Sequence, residues 1–144
     1  MLFGQNRSTL RRFYYEVWRK HEAGHPLEPM EVLVAEVILA HPEYHPVLMA
    51  EERHLERDYL PEVGETNPFL HMGMHIALKE QVSTDRPPGV RACYRALLHT
   101  LGDPHEAEHR MMECLGQVLW ESQQQGGMPD ESKYLECVKA AGGC

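Results

Sequence analysis

No apolar run in this chain approaches the roughly 18 residues that a membrane-crossing helix requires, so no transmembrane segment is expected. No stretch alternates convincingly as a strand, and no segment repeats, which leaves sheet and solenoid folds without support. Cysteines are few and scattered. Cys93, Cys114, Cys137 and Cys144 include no CxxC pair. In a reducing compartment they read as free thiols, Cys93 and Cys114 as small core residues and Cys144 as an exposed chain end. Positive charge is also short: 14 Lys and Arg against 22 Asp and Glu give a formal charge of −8 and a pI near 5.6. That balance argues against a nucleic-acid or acidic-membrane binder. The start, MLFGQNRSTLRRFYYE, lacks the apolar core of a secretion signal, so a cytoplasmic location is expected.

Histidine, by contrast, is abundant. Eight of the ten histidines fall into four HxxxH pairs: His21/His25, His41/His45, His71/His75 and His105/His109. Random placement would give about one such pair, so four is an excess. A spacing of four is what a helix needs to present two ligands to one ion.

The stretch NPFLHMGMHIALKEQV organises the rest. Asn67 reads as an N-cap and Pro68 as the first helical residue. His71 and His75 then stand one above the other on one face, in line with Met74, Leu78 and Val82. Two imidazoles in an apolar stripe need partners for their nitrogens. A shared metal ion supplies them economically; carbonyls and carboxylates are the plainer alternative.

At 144 residues, 42% hydrophobic and 25% charged, the chain reads as one soluble all-α domain, a bundle of five or six helices. The expected helices are 8–24, 29–41, 67–84, 89–101, 103–125 and 130–140, with 50–66 irregular. Ser8 caps the first and Gly24 stops it, placing Leu10, Phe13, Tyr14, Val17 and Trp18 inward. Arg7, Arg11, Arg12, Arg19 and Lys20 form a solvated basic cluster. His25 precedes Pro26, so His21 and His25 do not share a helix. Pro29 opens the second helix. HPEYHP breaks it at Pro42 and Pro46, yet the turn could still aim His41 and His45 inward, with Tyr44 beside them. His54, in a charge-dense segment that could form a short exposed helix, reads as solvated. Asp103, Pro104 and Glu106 give the fifth helix a capping-box start. Its apolar arc is Ala107, Met111, Cys114, Leu115, Val118 and Leu119. A second line, His109, Glu113, Gly116 and Trp120, is either buried or meets a partner subunit.

His105-Glu106-Ala107-Glu108-His109 is a literal HExxH, the zinc-metalloprotease string. A second match at His21–His25 shows how cheaply the pattern arises here. Glu106 already caps a helix, and no strand is available to hold a peptide. A ligand set drawn from His71, His75, His41, His45, His109 and Glu113, with His105 in reserve, suits a non-haem iron or zinc site in a helical bundle; nickel and manganese stay open. It is similar in kind to haemerythrin-like di-iron bundles without reproducing their order or spacing. Paired ExxH motifs of the ferritin type rank lower, since Glu51/His54 lies in the irregular segment.

At RRFYYEVWRKH, HPEYH, NPFLHMGMHIALKEQ, DRPPGVRA and HRMMECLGQVLWE the chain resembles a bacterial family, the domain-of-unknown-function family 1841, over nearly its whole length. The resemblance implies that His41, His45, His71, His75, His109 and Glu113 match family positions, and that His25, His54 and His99 do not. The family tends to glutamate where this chain has Gln117. The resemblance implies bacterial origin and a small cytoplasmic protein, but no activity or substrate. Two readings therefore stand. One is a metal-binding bundle whose metal, in an enzyme, would activate water or dioxygen. The other is a metal-free structural or interaction module, a homodimer through the Gly116/Trp120 face, whose histidines form a buried polar network.

Overall fold

The computed structural model describes residues 7–60 and 64–142. Those residues are all-α. They form eight helices: α1 (Arg7–Glu22), α2 (Pro29–Leu39), α3 (His45–Leu48), α4 (Glu51–His54), α5 (Pro68–Thr84), α6 (Val90–Leu101), α7 (Pro104–Gln125) and α8 (Glu131–Ala140). The six long expected helices are present. The count exceeds five or six because two single-turn helices, α3 and α4, occupy the connection after α2. The chain divides into two compact units, one ending at Ile76 and one starting at Ala77, and α5 runs through the boundary.

In the first unit α1 packs on α2 and α3. Its core is Tyr14, Tyr15, Val17 and Trp18 of α1, Val34, Ala35, Val37 and Ile38 of α2, Leu48, and Phe69, Met72 and Ile76 of α5. These recur at the three- and four-residue spacing that puts a stripe on one helix face. Tyr14 donates its hydroxyl to the Phe69 carbonyl at 3.1 Å, so an aromatic residue inside the core still satisfies its polar end. Lys20 pairs with Glu31 at 2.7 Å and links α1 to α2. At the end of α1, Gly24 takes φ +73° and the His25 amide reaches back to the Lys20 carbonyl, a left-handed stop that leaves His25 exposed beyond the helix.

Four local expectations are corrected here. Ser8 lies inside α1 rather than capping it, and its hydroxyl donates to Glu56. Arg11 is not solvated: it is 2% exposed, and Nη1 donates to the carbonyls of His54, Leu55 and Arg57 at 2.9, 3.2 and 2.7 Å. His54 is half-buried, with Nδ1 2.6 Å from the Tyr59 hydroxyl. Burial, then the Arg57, Arg53 and Arg11 charges, hold its pKa below the usual imidazole value. On α5 the buried positions are wider than the histidine stripe and include Phe69, Met72 and Ile76.

In the second unit α6, α7 and α8 pack on one another. Asp103 accepts from the His105 amide and starts α7, while Asp130 accepts from the Lys133 amide and starts α8. The Arg91 side chain donates to the Val82 and Ser83 carbonyls, covering the end of α5. Tyr134 donates to Gln81 at 2.7 Å. The free-thiol expectation is overturned. Cys114 and Cys137 form a disulfide, Cys93 is also disulfide-bonded, and no described cysteine is free; Cys144 lies outside the described residues. The reason is topological. The turn at Gly126 (φ +74°) brings α8 back along α7, so residues distant in sequence reach a Cα separation of 5.7 Å.

That bond closes a loop with a sequence separation of 23. On chain-entropy grounds the Cys114→Ala/Cys137→Ala double variant should lose about 3 kcal/mol of unfolding free energy. A urea midpoint unchanged from the wild type would contradict this.

Candidate metal centre

The first unit brings three of the expected ligands together. His41, His71 and His75 each offer one ring nitrogen, and those nitrogens all lie within 4.8 Å of one another. His41 and His75 are both 2% exposed, and His71 is half-buried.

Each placement follows from local sequence. His41 precedes Pro42, whose ring disfavours the helical conformation in the residue before it. The helix therefore ends, His41 takes φ −125° and ψ 67°, and a single 3-10 turn (Pro42–Tyr44) follows. His71 and His75 are set by the start of α5. There Asn67 Oδ1 accepts from the Phe69 and Leu70 amides at 3.0 and 3.2 Å, and Pro68 needs no amide partner.

The ring contacts are close. Centroids of His41 lie 5.2 Å from His71 and 4.7 Å from His75, and those of His71 and His75 are 4.9 Å apart. Nε2 of His71 and Nε2 of His75 face each other at 3.2 Å. Two ligands on a tetrahedral zinc ion are separated by ~3.3 Å, given zinc–nitrogen bonds of ~2.0–2.1 Å. Two facing lone pairs repel unless a proton or a cation lies between them. The 3.2 Å contact is thus either an N–H···N hydrogen bond or the edge of a coordination polyhedron.

His41 shows a further feature of a ligand. Its Nδ1 lies 2.7 Å from the Val37 carbonyl, which can only accept, so Nδ1 carries the proton and donates. Nε2 is then the nitrogen with the lone pair. Metal-bound histidines are commonly held in this way by a carbonyl on the other ring nitrogen. Tyr44 stacks against His41 at 5.5 Å, with planes 7° apart, and meets His71 edge-on at 6.1 Å. Burial first, then the Glu43 charge, raise its phenol pKa, so it stays a neutral donor.

His45 does not join the triad. The turn directs it the other way: Nε2 donates to the Ile38 carbonyl at 2.9 Å and its ring lies 4.7 Å from Trp18. His105, His109 and Glu113 belong to the second unit. The His105 and His109 rings meet edge to face at 4.1 Å on α7; His105 and Glu113 are exposed and His109 is half-buried. Gln117 donates to Glu121 at 2.9 Å, one helical turn on.

The model of the DUF1841 family, a domain of unknown function, matches residues 6–140. The chain belongs to the DUF1841 family. No curated protein and no solved structure matches it. Within this DUF1841 chain, sequence reading found the three triad histidines but not the Val37 carbonyl that orients one of them. A backbone partner leaves no trace in residue identity. No described helix is long and apolar enough to cross a membrane.

The tautomer of His41 is directly measurable. Long-range proton–nitrogen correlation spectra should show Nδ1 protonated and Nε2 bare in the metal-free protein. A protonated Nε2 with a bare Nδ1 would contradict the assigned hydrogen bond.

Proposed function

We propose that this DUF1841 protein binds a divalent transition ion through Nε2 of His41, His71 and His75. The observation that carries the reading is the 3.2 Å approach of two Nε2 atoms beside a third imidazole whose Nδ1 is held by a carbonyl. Three neutral imidazoles form a donor set for zinc first and iron second. Manganese, which favours carboxylates, ranks lower, and nickel is accommodated by the same nitrogens. Three protein ligands leave a fourth position for water. His71, the half-buried member, gives that position a route to solvent. Bound water there would be acidified toward a nucleophile, which makes metal-assisted hydrolysis the reaction class to test first. The cytoplasmic setting and bacterial source are part of the same proposal.

A second reading has one observation in its favour. A 3.2 Å N···N distance also fits a simple hydrogen bond between His71 and His75. On that reading the triad is a polar network that fixes the fold, and the exposed Trp120 is the feature by which a second copy would be sought.

Elemental analysis of untagged protein separates the two. The wild type should carry close to one zinc or iron per chain, and the His71→Ala/His75→Ala variant none. The His41→Ala variant should bind zinc more weakly by over about a hundredfold, since even partners of ligands contribute 10–100-fold. Metal-free wild type that stays metal-free after incubation with zinc or iron, with the variants merely less stable, would establish the second reading.

A further inference from the structure

The triad does not account for Arg11. A guanidinium 2% exposed is ordinarily paired with a carboxylate, because a buried charge without one is costly. Here the described partners of Nη1 are three neutral carbonyls, those of His54, Leu55 and Arg57. Among the described residues no carboxylate stands within ion-pair distance of Arg11. Its neighbour Arg7 takes Asp58, and Arg7 repels Arg11. The guanidinium also lies 4.8 Å from the ring centre of Phe69 and 5.5 Å from that of Tyr59, contacts that add no countercharge.

Arg11 also lines a cavity of about 110 Å³ in the first unit. Leu10, Tyr14, Phe69 and Leu70 supply its apolar walls, and Arg7 and Asn67 complete its polar side. Arg7, Arg11 and Asn67 are the cavity's donors. Asn67 Oδ1 is engaged by the Phe69 and Leu70 amides, which identifies the side-chain oxygen and leaves the NH2 as the donor of that residue. The Tyr14 hydroxyl is engaged by the Phe69 carbonyl. Among the described residues the cavity lining contains no acidic residue. The guanidinium and amide donors of Arg7, Arg11 and Asn67 select an anion, and apolar walls select a hydrocarbon part over a bare inorganic ion.

We propose that this cavity binds a small monocarboxylate with a short hydrocarbon tail, its carboxylate on Arg11 and the Asn67 amide and its tail against Leu10, Phe69 and Leu70. The planar fork of arginine matches a carboxylate. The volume sets the size at roughly ten non-hydrogen atoms or fewer. The site shares α5 with the triad but none of its residues, so the inference goes beyond the metal reading and does not depend on it.

Hexanoate and benzoate are the probes, with hexan-1-ol and hexylamine as the uncharged and cationic counterparts, titrated into the full chain by calorimetry and amide-shift mapping. Saturable one-to-one binding of a carboxylate is expected, with shifts at Arg11, Asn67 and Phe69. The alcohol should bind more weakly by at least about tenfold and the amine not at all. Arg11→Met should abolish binding. Arg11 also holds three carbonyls, so Leu70→Trp is the second variant. Leu70 is 54% exposed, so the larger ring can be accommodated at the cavity edge without disturbing the core, and carboxylate affinity should fall about tenfold or more. Absence of saturable carboxylate binding at millimolar concentration would overturn the proposal. So would equal binding of the alcohol, or unchanged affinity in a folded Arg11→Met protein.

Discussion

The arrangement of the triad depends on one steric constraint, the clash between the Pro42 ring and a helical His41. Without it, α2 would continue through His41, and its side chain would stay on the helix surface. With it, the backbone leaves the helical region at His41 (φ −125°, ψ 67°). The ring folds back so that Nδ1 finds the Val37 carbonyl one turn earlier. That carbonyl belongs to the last turn of α2, where acceptors lack intrahelical donors. A helix end that would need capping and a histidine that would need orienting thus satisfy each other. The cost of burying the imidazole is offset on one nitrogen by this bond. The other nitrogen joins two more on α5.

Much of this was readable from residue types. The caps Asn67, Asp103 and Asp130, the proline breaks and the left-handed glycine stops are local chemistry, and the long helices start and end within a residue or two of where those signals place them. The His71/His75 pair is legible for the same reason, since a spacing of four on one helix fixes proximity. His41 and His45 show where this fails. They have the same spacing, but a turn lies between them, and tertiary packing decides that one faces the triad and the other faces Trp18. Arg11 and Cys114 illustrate a second limit. The carbonyls that hold Arg11 come from residues 43 to 46 positions away, and Cys137 is brought to Cys114 by a helical hairpin. Neither pairing has a sequence pattern, because each depends on tertiary packing.

The two compact units carry different chemistry. All four cysteines lie in the second, where a covalent link supplements the packing of the short helix α8 on α7. The first has no cysteine and instead concentrates buried polar groups: the imidazoles of His41 and His75 and the guanidinium of Arg11. Buried polar groups stabilise a fold only when their partners are in place. Both proposed sites fall in that unit.

The central claim is that three imidazole nitrogens share one ion. X-ray absorption at the zinc edge of the zinc-loaded protein tests it most directly. The account expects about three imidazole nitrogens at ~2.0–2.1 Å with one further light ligand, and loss of one imidazole in the His41→Ala variant. A shell dominated by oxygen or sulfur, or a spectrum that the His41→Ala variant leaves unchanged, would contradict it.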